Sequence, residues 1–491
     1  MKTCKGIKSI SLTACIFLLF SIFTTLEAFA AEYYIDPVSG KDSDTGLSQA
    51  LAWATISYAM EQLSAGDTLF LMDGTFTESL NITISGKPGD PITFKALNDG
   101  KVIIDGKNSR IPLLIEGTDA NHKTYIDVEG IVCRNSNSDI VQIKRSDNIS
   151  IKRVSAYNAD PDGNFVAFSI AYDCTNILVE DCAASGTGRK QYNAFSDSKV
   201  TFRRCWGRWI DHQWGNWNSC LDIYGADDCI VENCIVTMDS TVTKKVHGIE
   251  IVNQSNPDAD RNKIYGNIVY GINDYGYIVA SAGGHHIRDN KHVDNVAIME
   301  GNSKGGFLLK ADGNWTGDRL TLVGTSDVDL VRVEANPFGE DPDFQIRGVL
   351  RNSVLLSGDV GIKITSSPLI KSFTNKYNNL CSLAIPYSGR ASQGAGEAAI
   401  KDTIPSFDTV KYGKGAYLIR PANLKGKGEN GADIGAEILY QYIDGILHRD
   451  DHHRLWPWQM EDRIFAETGV SVTWEAKGGI WKTLNGVYPE N

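Results

Sequence analysis

Asn148-Ile149-Ser150-Ile151-Lys152-Arg153-Val154 returns as Asn176-Ile177-Leu178-Val179-Glu180-Asp181-Cys182. It returns again as Lys199-Val200-Thr201-Phe202-Arg203-Arg204-Cys205 and as Asp228-Cys229-Ile230-Val231-Glu232-Asn233-Cys234, with weaker copies at 263–268 and 286–291. Each copy alternates polar and apolar residues, then sets a polar pair before a small apolar one. A period of two makes a short strand with one buried face, and the polar pair makes a turn. The closing residues Val154, Cys182, Cys205 and Cys234 stand 28, 23 and 29 residues apart. Units of that length, with strands and no helix between them, fit successive turns of a β-solenoid. The repeat is not leucine-dominated, as a horseshoe requires, and is too short for propeller blades.

A second short strand precedes most copies: Ala167-Phe168-Ser169-Ile170, Cys220-Leu221-Asp222-Ile223, Gly248-Ile249-Glu250-Ile251 and Gly306-Phe307-Leu308-Leu309. Like positions of stacked coils form ladders at strand spacing. Cys182, Cys205 and Cys234 therefore read as small apolar spacers in the core rather than as a disulfide network, because stacked strands aim their side chains too rigidly to bridge freely.

The ends differ from the middle. Residues 53–63 carry Trp53, Ile56, Ala59, Met60 and Leu63 at helical spacing, and Gly66-Asp67 and a strand at 68–72 follow. A short amphipathic helix there would cap the open end of the solenoid. The repeat fades after Ser388, and 389–396 reads as a loop. The aromatic tail Leu455-Trp456-Pro457-Trp458-Gln459-Met460-Glu461-Asp462-Arg463-Ile464 is expected to pack back against the last coils.

Residues 1–30 read as a leader: Lys2, Lys5 and Lys8 precede an apolar run over 10–23, and Ala28-Phe29-Ala30 offers a small-x-small cleavage site. Cys15 lies inside the apolar run, where a lipid-anchor cysteine would follow it. No later segment has the length of a membrane span, so an exported chain without membrane insertion, periplasmic or extracellular, is expected. The organisation is then 1–30 leader, 31–110 cap and first coils, 111–388 repeats, and 389–491 end coils and tail.

Without the leader the chain has 45 basic and 59 acidic residues, a net charge of −14. That surface excludes nucleic acid as a partner, since such binding depends on neutralising phosphates. It admits an anionic glycan wherever a local basic patch or a bound cation receives it. A monomer is expected.

At this point the chain resembles the right-handed β-helix, pectate-lyase-like superfamily. The likeness rests on Tyr33-Tyr34-Ile35-Asp36-Pro37 with Gly40 and Asp42, then Gly66-Asp67-Thr68-Leu69 and Gly74-Thr75-Phe76. Gly86-Lys87-Pro88-Gly89-Asp90-Pro91-Ile92-Thr93-Phe94, Ile103-Ile104-Asp105-Gly106 and the Val/Ile-Glu-Asp/Asn-Cys repeat extend it over most of 33–360. Ala432-Asp433-Ile434-Gly435-Ala436 also looks like the strand that ends many such solenoids. The resemblance implies an all-β, right-handed, single-stranded parallel β-helix with an N-terminal capping helix and an irregular C-terminal tail. The superfamily includes pectate lyases, chondroitinase B, alginate lyases, glycan epimerases and polygalacturonase-type hydrolases. Ile249-Glu250-Ile251 resembles an acidic metal-binding strand of chondroitinase-like lyases. The lysine expected shortly after it is replaced by Val252-Asn253-Gln254-Ser255.

Two clusters could carry chemistry. The segment 206–218, placed in the gap between two coils, reads as a projecting loop with four tryptophans. Arg208, Trp209, Asp211, His212, Trp214 and Trp217 are its candidate substrate-binding residues, since aromatic faces beside polar groups suit sugar rings. The competing reading packs these tryptophans onto the solenoid wall. In the second cluster Lys244, Lys245, His247 and Arg261 are the candidate catalytic residues, and Asp222, Glu250, Asp258 and Asp260 the candidate ligands of Ca²⁺, the cofactor such a site would take. Cleavage of a uronate glycan by β-elimination needs the carboxylate neutralised and a base to take the adjacent C–H proton. Asp274, Tyr275, Tyr277, His285 and His286 add polar groups nearby. Asp211 with Asp222 lacks support as a hydrolytic pair, and the adjacent His452-His453 lack zinc-ligand spacing. The leading expectation is a polysaccharide lyase or epimerase acting on an anionic, uronate glycan. The alternatives are a non-catalytic exported solenoid that binds glycan or cell-surface material, and a purely structural surface protein.

Overall fold

A computed structural model describes residues 30–213, 215, 217–253, 258–281, 286–300, 302–335, 344–406 and 421–472. Residues 1–29 of the proposed leader, Trp214 and His285 lie outside the described residues. The repeats form two long parallel sheets, of 13 and 22 strands, whose members pair with the strand one coil away. A single coil shows the plan. Thr175–Glu180 joins the 13-stranded sheet, and Ala183–Thr187 and Lys190–Phe195 form two separate ladders of the larger one. The chain then re-enters the first sheet at Ser198–Arg203. The molecule is a right-handed parallel β-helix with three strand-lined faces.

The register explains the repeat. Ile151, Val179, Phe202, Val231 and Ile264 stack in one interior ladder and are buried. The polar pair that ends each copy is a turn whose second residue takes left-handed backbone: Arg153, Asp181, Arg204, Asn233 and Asp294 have φ of 51°, 52°, 49°, 55° and 54°. That conformation favours Asn, Asp or Gly, and ion pairs support the arginines that use it, Arg204 Nε lying 2.7 Å from Asp181 Oδ1 and Arg153 Nη2 2.5 Å from Asp99 Oδ2. All eight described cysteines are free and buried. Cys182, Cys205 and Cys234 aim their thiols at carbonyls of Ile151, Val179 and Phe202 on the preceding coil. The copy expected at 286–291 is displaced: its strand is Asn290–Val293. There His292 enters the interior ladder beside Ile264 and accepts the Trp315 indole N–H at 3.1 Å.

The capping helix is Ile56–Gln62, with Thr55 accepting from the Tyr58 N–H, and Ile56, Ala59 and Met60 buried. The C-terminal end departs from expectation twice. Residues 432–436 form no strand. They run extended across the coils, with Gly435 N–H on the Asn352 carbonyl and Ala436 N–H on Thr321 Oγ1. The tail does not stop at the last coils either. It continues past Asp294, Asn233 and Glu232, and Arg463 ends on Asp99 and the Ile131 and Arg153 carbonyls, near the start of the solenoid. Trp456 and Trp458 are buried on this path with Ala183, Trp206, Ile235 and Ile268. The solenoid has an apolar outer seam, and the strap covers it. Among the described residues no helix is long and apolar enough to cross a membrane.

Candidate active site

One ladder of the larger sheet carries a row of outward residues, of which Ser169 and Asn193 line a groove and Asp222 and Glu250 are buried beside it. Ser169, Asn193, Asp222, Glu250 and Ile278 lie in register on the successive strands Val166–Ala171, Lys190–Phe195, Asn218–Tyr224, Val246–Asn253 and Tyr275–Ser281. Three residues earlier, Lys190, Ser219 and His247 form a parallel row. Tyr192, Leu221 and Ile249 face the core, so the strand period puts Asn193, Asp222 and Glu250 on the outer face, and ion pairs join the row at Lys190 and His247 to it.

These side chains form a buried chain of ions. The Lys190 ammonium rests on Asp222 Oδ2. His247 Nδ1 is 2.7 Å from Glu250 Oε2, and its Nε2 is 3.5 Å from Asp274. Lys304 Nζ reaches Asp274 at 3.1 Å. Burial disfavours a charged His247, but Glu250 and Asp274 outweigh it and raise the imidazole to about 9. Burial also opposes ionisation of Glu250, yet His247 and Lys190 hold its carboxyl below the ordinary value. Asp274 is held low in the same way, by His247 and Lys304 against its burial. Lys190 moves the other way: burial, opposed by Glu250 and reinforced by Arg189, lowers its ammonium to about 8. Three buried oxygens of this ladder, Asn193 Oδ1, Asp222 Oδ1 and Glu250 Oε1, have no hydrogen-bond partner among the described residues.

Above the ladder lies a groove of about 940 Å³. Its charged lining is Lys144, Arg189, Lys190 and Lys310 against a single acid, Asp139, whose carboxyl burial raises above its ordinary value. Phe195 and Tyr224 stack at 5.2 Å along one wall, and Tyr172 meets Phe195 edge-on. Trp217, 44 % exposed, stands over the ladder: its indole N–H donates to Glu250 Oε2 at 3.0 Å, and its ring meets His247 edge-on.

The expected site residues divide. Asp222, His247 and Glu250 come together, with Trp217 above them. Lys244 is half-buried and Lys245 exposed just before His247. The Lys245 ammonium lies 3.4 Å from the Asn273 carbonyl, outside the ion chain. Asp258, Asp260 and Arg261 belong to the turn leaving the groove face. Asp258 accepts the His286 N–H and Asp260 the Arg288 N–H, while Arg261 pairs with Asp227 and Asp228. Four of the expected residues lie in or beside Trp206–Asp211, which is a strand and not a projecting loop. Trp209 fills the core, Arg208 pairs with Asp239 at 2.9 Å on the neighbouring face, Asp211 is exposed and His212 is buried. Two of the four tryptophans, Trp206 and Trp209, are wholly buried, because one faces the strap and the other the interior.

Lys190, Asn193 and Arg189 were not singled out from the sequence, and Asp274 was noted only as a polar group nearby. A signal for two of them exists: Gln191-Tyr192-Asn193-Ala194 matches the pattern of Cys220-Leu221-Asp222-Ile223 and Gly248-Ile249-Glu250-Ile251. Its third position completes the Asn-Asp-Glu row and carries Lys190 with it. Lys190 lies on the same ladder as Glu250, two coils earlier.

The chondroitinase B family model matches residues 52–170. Pectate lyase PEL9 of Emericella nidulans is 34 % identical over 100 residues, 20 % of this chain and 22 % of that protein. With the coil topology, this places the fold. The chain is a pectate-lyase-like parallel β-helix. An uncharacterized Bacillus subtilis protein, YwoF, is 33 % identical to this β-helix over 75 residues, 15 % of the chain and 16 % of that protein. The matched segments thus span about a fifth or less of these curated relatives. Among solved structures, pectate lyase Pel9A superposes with a TM-score of 0.43 at 16 % identity, covering 71 % of this chain and 80 % of that one. The A-module of the Azotobacter vinelandii mannuronan C-5 epimerase AlgE6 superposes at 0.47 and 11 %, covering 75 % and 95 %. The family-model match ends at Ile170, before the first residue of the ion chain in this β-helix.

Proposed function

We propose that this β-helix is an exported, glycan-active protein that takes an anionic, uronate-containing polysaccharide into the groove and abstracts a proton from it, as a lyase or an epimerase. The observation that carries the reading is the groove's charge: four cations and one acid, flanked by stacked aromatic rings, on a chain whose formal net charge is −12. Cations receive the carboxylates, and aromatic faces receive the apolar side of the sugar rings.

Lys190 is the base in this reading. Its ammonium, lowered to about 8, leaves a useful neutral fraction near neutral pH. Asp222 and the Tyr224 ring, 5.3 Å from Nζ, fix where that nitrogen sits. Arg189 and Lys144 hold substrate carboxylates. His247 is a positioning residue: both ring nitrogens are engaged by carboxylates, so it fixes Glu250 and Asp274 rather than accepting a proton. After Lys190 takes the proton, elimination breaks the adjacent C–O bond and forms C=C, whereas epimerisation returns a proton to the opposite face. A hard divalent cation such as Ca²⁺ could draw some of its six to eight oxygens from Asn193, Asp222 and Glu250, with substrate and water supplying the rest. When bound, that ion would neutralise a uronate carboxylate and so acidify the neighbouring C–H.

The test is incubation of the purified protein with a panel of uronate polysaccharides, with and without Ca²⁺. Absorbance near about 235 nm follows the C=C bond that a base-catalysed elimination forms. A Ca²⁺-dependent rise on one polymer, or a changed epimer ratio without absorbance, is expected. No change in absorbance, epimer ratio or reducing ends on any substrate overturns the enzyme and leaves a glycan-binding solenoid.

A further inference from the structure

The C-terminal strap carries a side-chain cluster that the groove does not use. His448 ends the second strand of the hairpin Gln441–Ile443 and Ile446–His448, and His453 closes the short 3-10 turn Asp451–His453. Tyr440 pairs with Arg454, and the Gln441 side-chain amide donates to the Arg454 carbonyl at 2.7 Å, which folds the turn onto the hairpin. The two imidazoles are thereby brought to a centroid separation of 4.7 Å. Asp450 completes the group. Its carboxylate lies 2.8 and 2.9 Å from His453 Nδ1, and the backbone N–H groups of His452 and His453 fix its orientation. One ligand atom from each of His448, Asp450 and His453 lies within 4.8 Å of the other two, the one such trio of His, Cys or acidic residues among the described residues. His452 and His453, adjacent in the chain, are not the pair; the hairpin supplies His448 instead.

We propose that His448, Asp450 and His453 form a second metal site, for a borderline transition-metal ion of the Zn²⁺ class. Two imidazoles and one carboxylate with an open fourth position suit such an ion, whereas Ca²⁺ needs six to eight oxygens. The softer donors that would compete, the eight described cysteines, are all buried. His448 and His453 are only partly buried, so an ion reaches them from solvent. The hairpin itself is held to the solenoid, with Glu232 accepting the Asp444 and Gly445 N–H groups and Asn233 bonded to Tyr442. Glu232 and Asn233 follow directly on the coil that carries Asp222. An ion joining the 3-10 turn to the hairpin therefore ties the turn to the part of the strap that Glu232 and Asn233 hold on the solenoid.

The experiment is calorimetric titration of the chelator-treated full chain with Zn²⁺ alone, and with Ca²⁺ alone, alongside thermal melting. One Zn²⁺ per chain and a higher melting temperature are expected. His448→Ala and His453→Ala should each weaken binding about tenfold or more, while His452→Ala and Glu250→Gln leave it unchanged. Glu250→Gln keeps this result separate from the fate of any groove cation. No zinc binding, or equal affinity in the His448→Ala/His453→Ala double variant, overturns the proposal.

Discussion

Two rows of buried polar side chains run along this solenoid, and only one of them is closed. On the turn beside the 13-stranded sheet, Asn267 accepts the Cys234 N–H at 2.8 Å and donates to the Val231 carbonyl and to Asn295, and Asn295 donates to the Ile264 carbonyl. Every amide there finds its partner one coil away. In the groove row Asn193, Asp222 and Glu250 each keep a buried oxygen without a partner among the described residues. Leaving such an atom unpaired costs about 1–3 kcal/mol, a cost that stacking alone gives no reason to repeat on three neighbouring coils. The closed row is a structural device, and the open row is the one the proposed cation would use.

The sharpest break in that comparison is at Lys190. Lys190→Arg keeps a cation against Asp222 but supplies no neutral nitrogen near pH 7. Turnover on the identified polymer should fall by about 10²–10⁴-fold with the melting temperature nearly unchanged; equal turnover removes Lys190 from the mechanism. A second difference lies in pH. His247 is raised to about 9, so its contribution to stability is complete below an ordinary histidine value and is lost as pH rises through about 9. Denaturant titrations of wild type and His247→Asn should show a gap that narrows by about 3 kcal/mol between pH 6 and pH 10. A constant gap would mean that the imidazole is not held charged by Glu250 and Asp274. The smallest effect compares one asparagine from each row. Asn267→Ala should cost about 2 kcal/mol of stability and leave groove binding alone, whereas Asn193→Ala should cost about 1 kcal/mol or less and weaken any cation dependence. Equal losses in the two melts would erase the distinction between the rows.

Part of this site was legible in the sequence. Asp222 and Glu250 occupy matching third positions in Cys220-Leu221-Asp222-Ile223 and Gly248-Ile249-Glu250-Ile251, and His247 stands just before the second. Lys190 was hidden because its neighbours lie on other coils: Ser219 is its register partner and His247 the next one along. Asp258, Asp260 and Arg261 looked close to Glu250 because they follow it soon in the chain, but a turn carries them off the groove face. The tryptophan-rich segment misled for a similar reason. Composition cannot distinguish an exposed aromatic from one covered by a strap arriving from residues 455–464, as Trp206 is.

By itself the sequence determined the coil. Alternation of burial is a local property with a period of two, the turn residues that tolerate left-handed backbone recur beside it, and the small cysteines mark where coils must stack closely. Only the tertiary structure decided which polar residues meet. Coil lengths vary, so register cannot be counted along the chain, and Lys190, Asp222, His247 and Glu250 become neighbours through hydrogen bonds between coils. The path of the strap was decided in the same way. Its residues carry no repeat of their own, and they follow the apolar seam and the Asp294, Asn233 and Glu232 acceptors that the finished solenoid presents.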